Sequence, residues 1–219
     1  MGGMHRLGRS FFARDALEVA PDLLGKLVVH RVGDEILRLR ITETEAYRGE
    51  EDTACHAHRG RTKRTETLYR EPGAIYLYLC YGVHWMLNFV TGEEGSPQGV
   101  LIRAAEGAKG PGRLTKALHL KGELCGENVA DCAHLWVEDD GFRCQARTAP
   151  RVGIGYASEL DRQRLWRFIL KEEPQQADAP ETPAQGKADK ADQKGSIGKK
   201  KQMQPARKDF EDEDSNRDF

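Results

Sequence analysis

Residues 37–47 read LRLRITETEAY, and no other stretch constrains the fold as strongly. Leu37, Leu39 and Ile41 share one parity while Arg38 and Arg40 take the other, the period-two pattern of a strand with one face on a core and one toward water. The same count carries Glu43, Glu45 and Tyr47 to the core side. An unpaired buried carboxylate is among the costliest groups a fold can hold, so two at one strand end point to a purpose other than packing. The competing reading is a rim carboxylate in solvent, because parity is easily lost at the last residues of a strand.

The rest of the chain reads as short strands with few helices. ARDALEVAPDLLG predicts a helix interrupted by Pro21 and stopped by Gly25, followed by a strand through Leu27, Val28 and Val29. DTACHAH predicts a short helix with Asp52 as N-cap. GAIYLYLCYGVHWMLNFVTG predicts two strands around a turn at Tyr81 and Gly82. GVLIRAAEG predicts a strand, LTKALHL a short helix, and HLWVEDDG and RVGIG two short strands. Strands and helices do not alternate as βαβ units, so the expected class is α+β on a mostly antiparallel sheet, with the 75–90 hairpin protruding.

Composition sets the boundaries. From residue 172 onward Ile197, Met203, Phe210 and Phe219 are the only large apolar residues, too few to offset ordering entropy. The expected organisation is one domain over residues 1–171 and a disordered charged tail over 172–219. The tail carries nine Lys/Arg and twelve Asp/Glu of totals of 34 and 35, which leaves the body slightly positive under a formal net charge of −1. RGRTKRTETLYR, residues 59–70, concentrates Arg59, Arg61, Lys63, Arg64 and Arg70 against the single acid Glu66. It is either a polyanion-binding stripe or a solvated loop. Five cysteines without a CxxC pair suit a reduced compartment. With no secretory h-region and no membrane-length apolar run, the expected location is intracellular, and cytoplasmic with nucleoid association in a bacterial cell.

Two groupings suggest chemistry. In AIYLYLCYG, Ile75, Leu77 and Leu79 form an aliphatic face and Tyr76 and Tyr78 an aromatic one. An aromatic wall beside a few polar groups suits a flat π-system such as a nucleobase, although tyrosines also simply fit strands. Tyr81 at a hairpin tip beside basic residues has the form of a wedge for a stacked duplex. Glu45, two residues from Tyr47 in such a pocket, is a candidate general base for water, and Glu43 a structural partner of a basic side chain. Cys55, His56 and His58, with Cys80 and His84, do not match a known zinc spacing, so no metal site is expected. His56 is instead a donor to a ligand or a satisfied histidine.

Six motifs in order, ETEAY, EDTACHAHRGRTKR, PGAIYLYLCYGVHWMLN, GVLIRAAEG, GPGRLTKAL and PRVGIGYA, resemble the alkyladenine (3-methyladenine) DNA glycosylase family of base-excision repair enzymes. The similarity runs from LGRSFFARDALEVAPDLLGKLVV to about Leu170. The resemblance implies an α+β domain that flips a damaged purine, alkylated or in a further class deaminated, from duplex DNA and hydrolyses its N-glycosidic bond without metal or organic cofactor. It implies that Glu45 activates water, with Arg103 and the Val152 carbonyl positioning that water. Tyr47, His56 and Tyr78 correspond to residues that contact the flipped base, Asn88 to a pocket asparagine that rejects guanine, and Tyr81 to the residue inserted into the duplex. Arg59, Arg61, Lys63 and Arg64 are the expected DNA-backbone contacts.

The chain departs from the family at Thr62-Lys63-Arg64-Thr65, where relatives read TPRN, and at Leu68-Tyr69, where Met-Phe is usual. That loop abuts the expected DNA-facing side, so the departures bear on substrate range and backbone contacts. No lysine near TETEAY is available for a Schiff base, which favours a monofunctional enzyme that leaves an abasic site. The expected partner is double-stranded DNA with a damaged purine, bound by a monomer away from any membrane. The alternatives are a non-catalytic module for distorted DNA and a hydrolase of small nucleosides. The basic stripe and Tyr81 favour duplex DNA over a free nucleoside.

Overall fold

The computed structural model describes residues 4–171; the expected charged tail lies outside the described residues. In chain order the elements are β1 (His5–Arg6), α1 (Arg9–Phe12), α2 (Ala16–Asp22), β2 (Leu27–Val32), β3 (Glu35–Arg48), β4 (Ile75–Cys80), β5 (His84–Thr91) and β6 (Gln98–Ala105). They continue with α3 (Pro111–Ala117), β7 (Leu135–Asp139), β8 (Ala146–Ala149), α4 (Glu159–Gln163) and β9 (Arg167–Leu170). The strands form one nine-stranded sheet in the order β1-β7-β2-β3-β6-β5-β4, with β9 pairing β3 and β8. Every named pairing is antiparallel and the helices are short, as the α+β reading expects.

β3 has 14 residues because it serves different partners along its length. Its first half pairs β2, from Val32↔Glu35 to Leu27↔Arg40. Its second half pairs β6, from Ile41↔Ala105 to Arg48↔Gln98, and β9 over residues 43–45. Between the halves the register shifts on both sides of Glu43. A one-residue irregularity exchanges the faces of everything beyond it. Leu37, Leu39 and Ile41 pack on the main core, but past the bulge Ala46 takes that side, and Thr44 donates a 2.8 Å hydrogen bond to the Ala20 carbonyl of α2. Glu45 and Tyr47 therefore turn to the opposite face. The expectation that Glu43, Glu45 and Tyr47 continue the side of Ile41 is corrected: Glu45 is fully buried, but behind the sheet from the main core.

The main core gathers Phe12, Val19, Leu23, Ile41, Phe89, Ile102, Leu114 and Leu118 between the sheet and α2 and α3. Each such side chain contributes roughly 1.5–3 kcal/mol on burial. Asp15 caps α2 by accepting from the Leu17 N–H at 2.9 Å. Gly25 ends that turn at φ +78, and a Cβ there would lie 2.6 Å from the Phe142 ring, so both conformation and space call for glycine.

Several local expectations are corrected. The helix expected in LTKALHL begins earlier, because Pro111 supplies its first turn and Leu118 already caps it. Asp52 is not the expected N-cap: it closes a 3-10 turn at Gly49–Glu51, Cys55 precedes the next one at His56–Arg59, and the Asp52 side chain accepts from the Arg48 and Ala54 N–H groups at 3.2 and 3.0 Å. RVGIG forms no strand, and the neighbouring strands are β8 and β9. Arg40 does not face water; it pairs with Asp140 at 2.8 Å and covers the Phe142 ring at 4.4 Å.

Candidate active site

Antiparallel register lays one row of side chains across five strands. Tyr76 on β4 opposes Asn88 on β5, Asn88 opposes Leu101 on β6, Leu101 opposes Glu45 on β3, and Glu45 opposes Arg167 on β9. Directly opposed residues share a face, so the row brings together positions far apart in the chain. The 3-10 turns of residues 56–69 and the segment 150–157 contribute the buried side chains that cover this face.

Glu45 sits in the row fully buried, with one hydrogen bond to each oxygen. Oε1 accepts from the Val152 N–H at 2.8 Å and Oε2 from the Tyr47 hydroxyl at 2.9 Å. Arg103 Nε lies 3.6 Å from Glu45 Oε1 and 3.1 Å from Glu43 Oε1. Burial pushes the Glu45 carboxyl above its usual range, against Arg103 and the two hydrogen bonds, which pull it down. That balance leaves a carboxylate whose basicity exceeds that of a solvated glutamate. Glu43 takes the structural place expected of it, between Arg103 and Arg167, the latter at 3.0 Å. Val152 meets Glu45 through its amide N–H, a contact that reading the motif for its carbonyl did not foresee.

The aromatic face assembles as the alternation in β4 suggests. Ile75 and Leu77 join the main core, but Leu79, expected on the same face, is 40% exposed because β4 runs past the core toward the hairpin tip; Tyr76, Tyr78 and Tyr47 pack with Cys55 and Leu68 behind the sheet. The His56 and Tyr78 rings meet edge-on at 4.5 Å, and His56 Nδ1 lies 3.0 Å from the Tyr76 hydroxyl. Burial first, then Arg64, lowers the His56 imidazole to about 4, so it is neutral near pH 7. Asn88 is buried, with Nδ2 donating to the Tyr76 and Met86 carbonyls at 3.2 Å each. The cleft that Tyr47, His56, Tyr76, Tyr78 and Asn88 line measures about 30 Å³. Ordinary ligand pockets run to roughly 300 Å³ or more, so a ligand of ordinary size would fit here only if lining side chains moved apart.

The remaining expected residues stand at the periphery. Tyr81 is 93% exposed at the hairpin tip, with φ +50, and Gly82 follows at φ +69. A left-handed non-glycine residue costs about 1–2 kcal/mol. Arg59, Arg61, Lys63 and Arg64 are exposed. Arg61 is held by both oxygens of Glu66 at 2.8 and 2.6 Å, whereas the Arg64 guanidinium reaches 6.0 Å from the Tyr78 ring at the cleft. His58 Nδ1 donates to the Glu50 carbonyl at 2.8 Å, and burial pushes the Cys55 thiol up to about 11. No three of the described His, Cys, Asp and Glu side chains are grouped to hold a metal ion.

Sequence reasoning missed Arg151 and Trp166, and it gave Asp52 only the part of a helix cap. Arg151 is fully buried, with Nη1 and Nη2 donating to the two Asp52 oxygens at 2.5 and 2.8 Å. Its guanidinium lies 4.8 Å from the Tyr47 ring and 5.0 Å from the Trp166 ring. The pair is separated by 99 residues, and no local pattern signals it.

Comparison with known proteins places these features in context. The family model described as methylpurine-DNA glycosylase (MPG) matches residues 10–109 and 105–174. A protein of Psychrobacter cryohalolentis named "Putative 3-methyladenine DNA glycosylase" is 42% identical over 195 residues, covering 75% of this chain and 92% of its own. Proteins of the same name from Desulfitobacterium hafniense and Nitrosococcus oceani are 41% and 43% identical. The first covers 77% of this chain and 97% of its own, the second 75% and 89%.

Proposed function

The chain belongs to the methylpurine-DNA glycosylase family and is a DNA glycosylase, a hydrolase of N-glycosyl bonds; on that premise we propose that it flips alkylated purines from duplex DNA and releases them with a water activated by Glu45. The observation that carries this reading is a fully buried glutamate, fixed at both oxygens, at the edge of an aromatic cleft. Each oxygen keeps a second lone pair, so Glu45 can take a proton from water while Tyr47 and the Val152 amide hold its orientation. The hydroxide attacks C1′, the C1′–N bond breaks, and its electron pair leaves with the purine. Arg103 and the Val152 carbonyl position the water.

Tyr47, His56 and Tyr78 enclose the flipped base, and Asn88 screens its edge. A neutral His56 is a weak acid for a leaving group. Purines alkylated at N3 or N7 already carry positive charge and leave without that help, so they are the first substrate class and neutral deaminated purines the second. Tyr81 fills the gap in the helix, and Arg59, Arg61, Lys63 and Arg64 contact the backbone. The organisation proposed is a glycosylase domain within residues 1–171 that acts as a monomer. The test is incubation with duplex carrying one alkylated purine and assay for free base and abasic sites. Release of the base with the strand intact is expected; binding without release overturns the reading.

A further inference from the structure

Arg151 is placed unlike any other cation of the site. Asp52 grips its fork at both ends and is itself fixed by the Arg48 and Ala54 N–H groups. Arg151 Nη1 also donates to the carbonyl of Ala46, the residue between Glu45 and Tyr47, at 2.9 Å. The faces of the guanidinium meet Tyr47 and Trp166. One peptide further along, the Val152 N–H reaches Glu45, and on the other side Arg167 Nε holds the Pro150 carbonyl at 2.8 Å. The segment 150–152 is thus tied at consecutive residues, to β9 at Pro150 and to β3 at Arg151 and Val152, with Arg151 as the central tie. We propose that Arg151, clamped by Asp52, is a positioning residue that sets the Val152 amide and the Tyr47 ring against Glu45 and so fixes the geometry of water activation.

The inference rests on the glycosylase reading and specifies what keeps its base in place. A buried ion pair can also serve folding alone, and losing one partner leaves a stranded charge. Rate per folded molecule separates the two roles. Arg151→Lys keeps the charge but loses the fork and the flat stacking surface, and Asp52→Asn loosens the same clamp from the other end. The full chain and both variants are compared by melting temperature, affinity for duplex with a non-cleavable abasic analogue, and single-turnover excision of a cationic alkylated purine across pH. Glu45 is faced by Tyr47 and Glu43 of β3, Arg103 of β6, Tyr78 of β4, and Arg151 and Tyr156 of the 150–157 segment. A weakened Val152 hydrogen bond leaves burial less opposed, so the acid limb of the rate moves to higher pH.

The expected result is near-parental affinity, excision slower by up to about 100-fold, the cost of misplacing a reacting group by about 1 Å, and the limb displaced upward. In a Glu45→Gln background Arg151→Lys should add little further loss, because the two act as a unit. Variants that melt earlier but excise at the parental rate, or whose loss multiplies in full with that of Glu45→Gln, overturn the proposal. A parent that excises and a Glu45→Gln variant that does not, with Arg151→Lys at the parental rate, overturn this inference alone. A parent inactive on every alkylated duplex overturns the reading beneath it.

Discussion

The floor of the cleft and the tip of the β4–β5 hairpin use polar and aromatic side chains in opposite ways. At the floor Glu45, Tyr47, Asn88, Arg151 and Asp52 are packed and hydrogen-bonded. At the tip Tyr81 and Val83 are exposed at 93% and 70%, and Tyr81 adopts a backbone conformation that favours glycine. The floor spends its interactions within the molecule, which fixes atoms for chemistry. The tip leaves its interactions unspent, which suits a surface completed by a partner.

The largest effect should separate chemistry from binding. Glu45→Gln keeps the shape of the side chain and removes its basicity, so excision should fall by about 10²- to 10⁴-fold while affinity for an abasic analogue persists. A gel shift paired with single-turnover kinetics reads both, and an active Glu45→Gln protein would remove the floor from the mechanism. Tyr81→Ala should act the other way. Unstacking is worth a few kcal/mol per step, so loss of the ring should cost about 10- to 100-fold on duplex and much less on single strands. Equal losses on the two substrates would deny the tip its proposed role.

A pH series sharpens the contrast. His56 titrates near 4 in the fold against an ordinary 6.5, because burial disfavours its charged form. Between those values the unfolded chain binds a proton that the native protein does not, so stability is full above pH 6.5 and falls as pH drops toward 4. Urea midpoints of the parent and of His56→Gln should converge on acidification, and parallel curves would show that His56 is not held neutral. The smallest effect concerns the basic stripe. Glu66 already neutralises Arg61, whereas Arg64 points toward the cleft. Arg64→Gln should therefore reduce the slope of log K against log salt by about 0.9, the value for one phosphate contact, and Arg61→Gln by less. A larger change at Arg61 would mean that Glu66 releases it on binding DNA.

Much of this is legible in the sequence. Alternation in AIYLYLCYG separated the core residues Ile75 and Leu77 from Tyr76 and Tyr78, because strand periodicity is local and needs no partner to be read. The hairpin turn at Tyr81 and Gly82 was legible for the same reason. The burial of Glu45 was anticipated from parity, but on the wrong face, since the bulge at Glu43 depends on how β3 changes partners between β2 and β9.

What the sequence determined by itself was periodicity, turn chemistry, the composition of the tail and the ordered motifs that identify the family. Tertiary structure alone decided the row from Tyr76 through Asn88, Leu101 and Glu45 to Arg167, and the clamp of Asp52 on Arg151. A row across a sheet is set by register between strands distant in sequence. A buried ion pair is stable only where both desolvated partners are brought to contact. Neither condition is written in the neighbours of any one residue, because each is satisfied only by the whole chain folding at once.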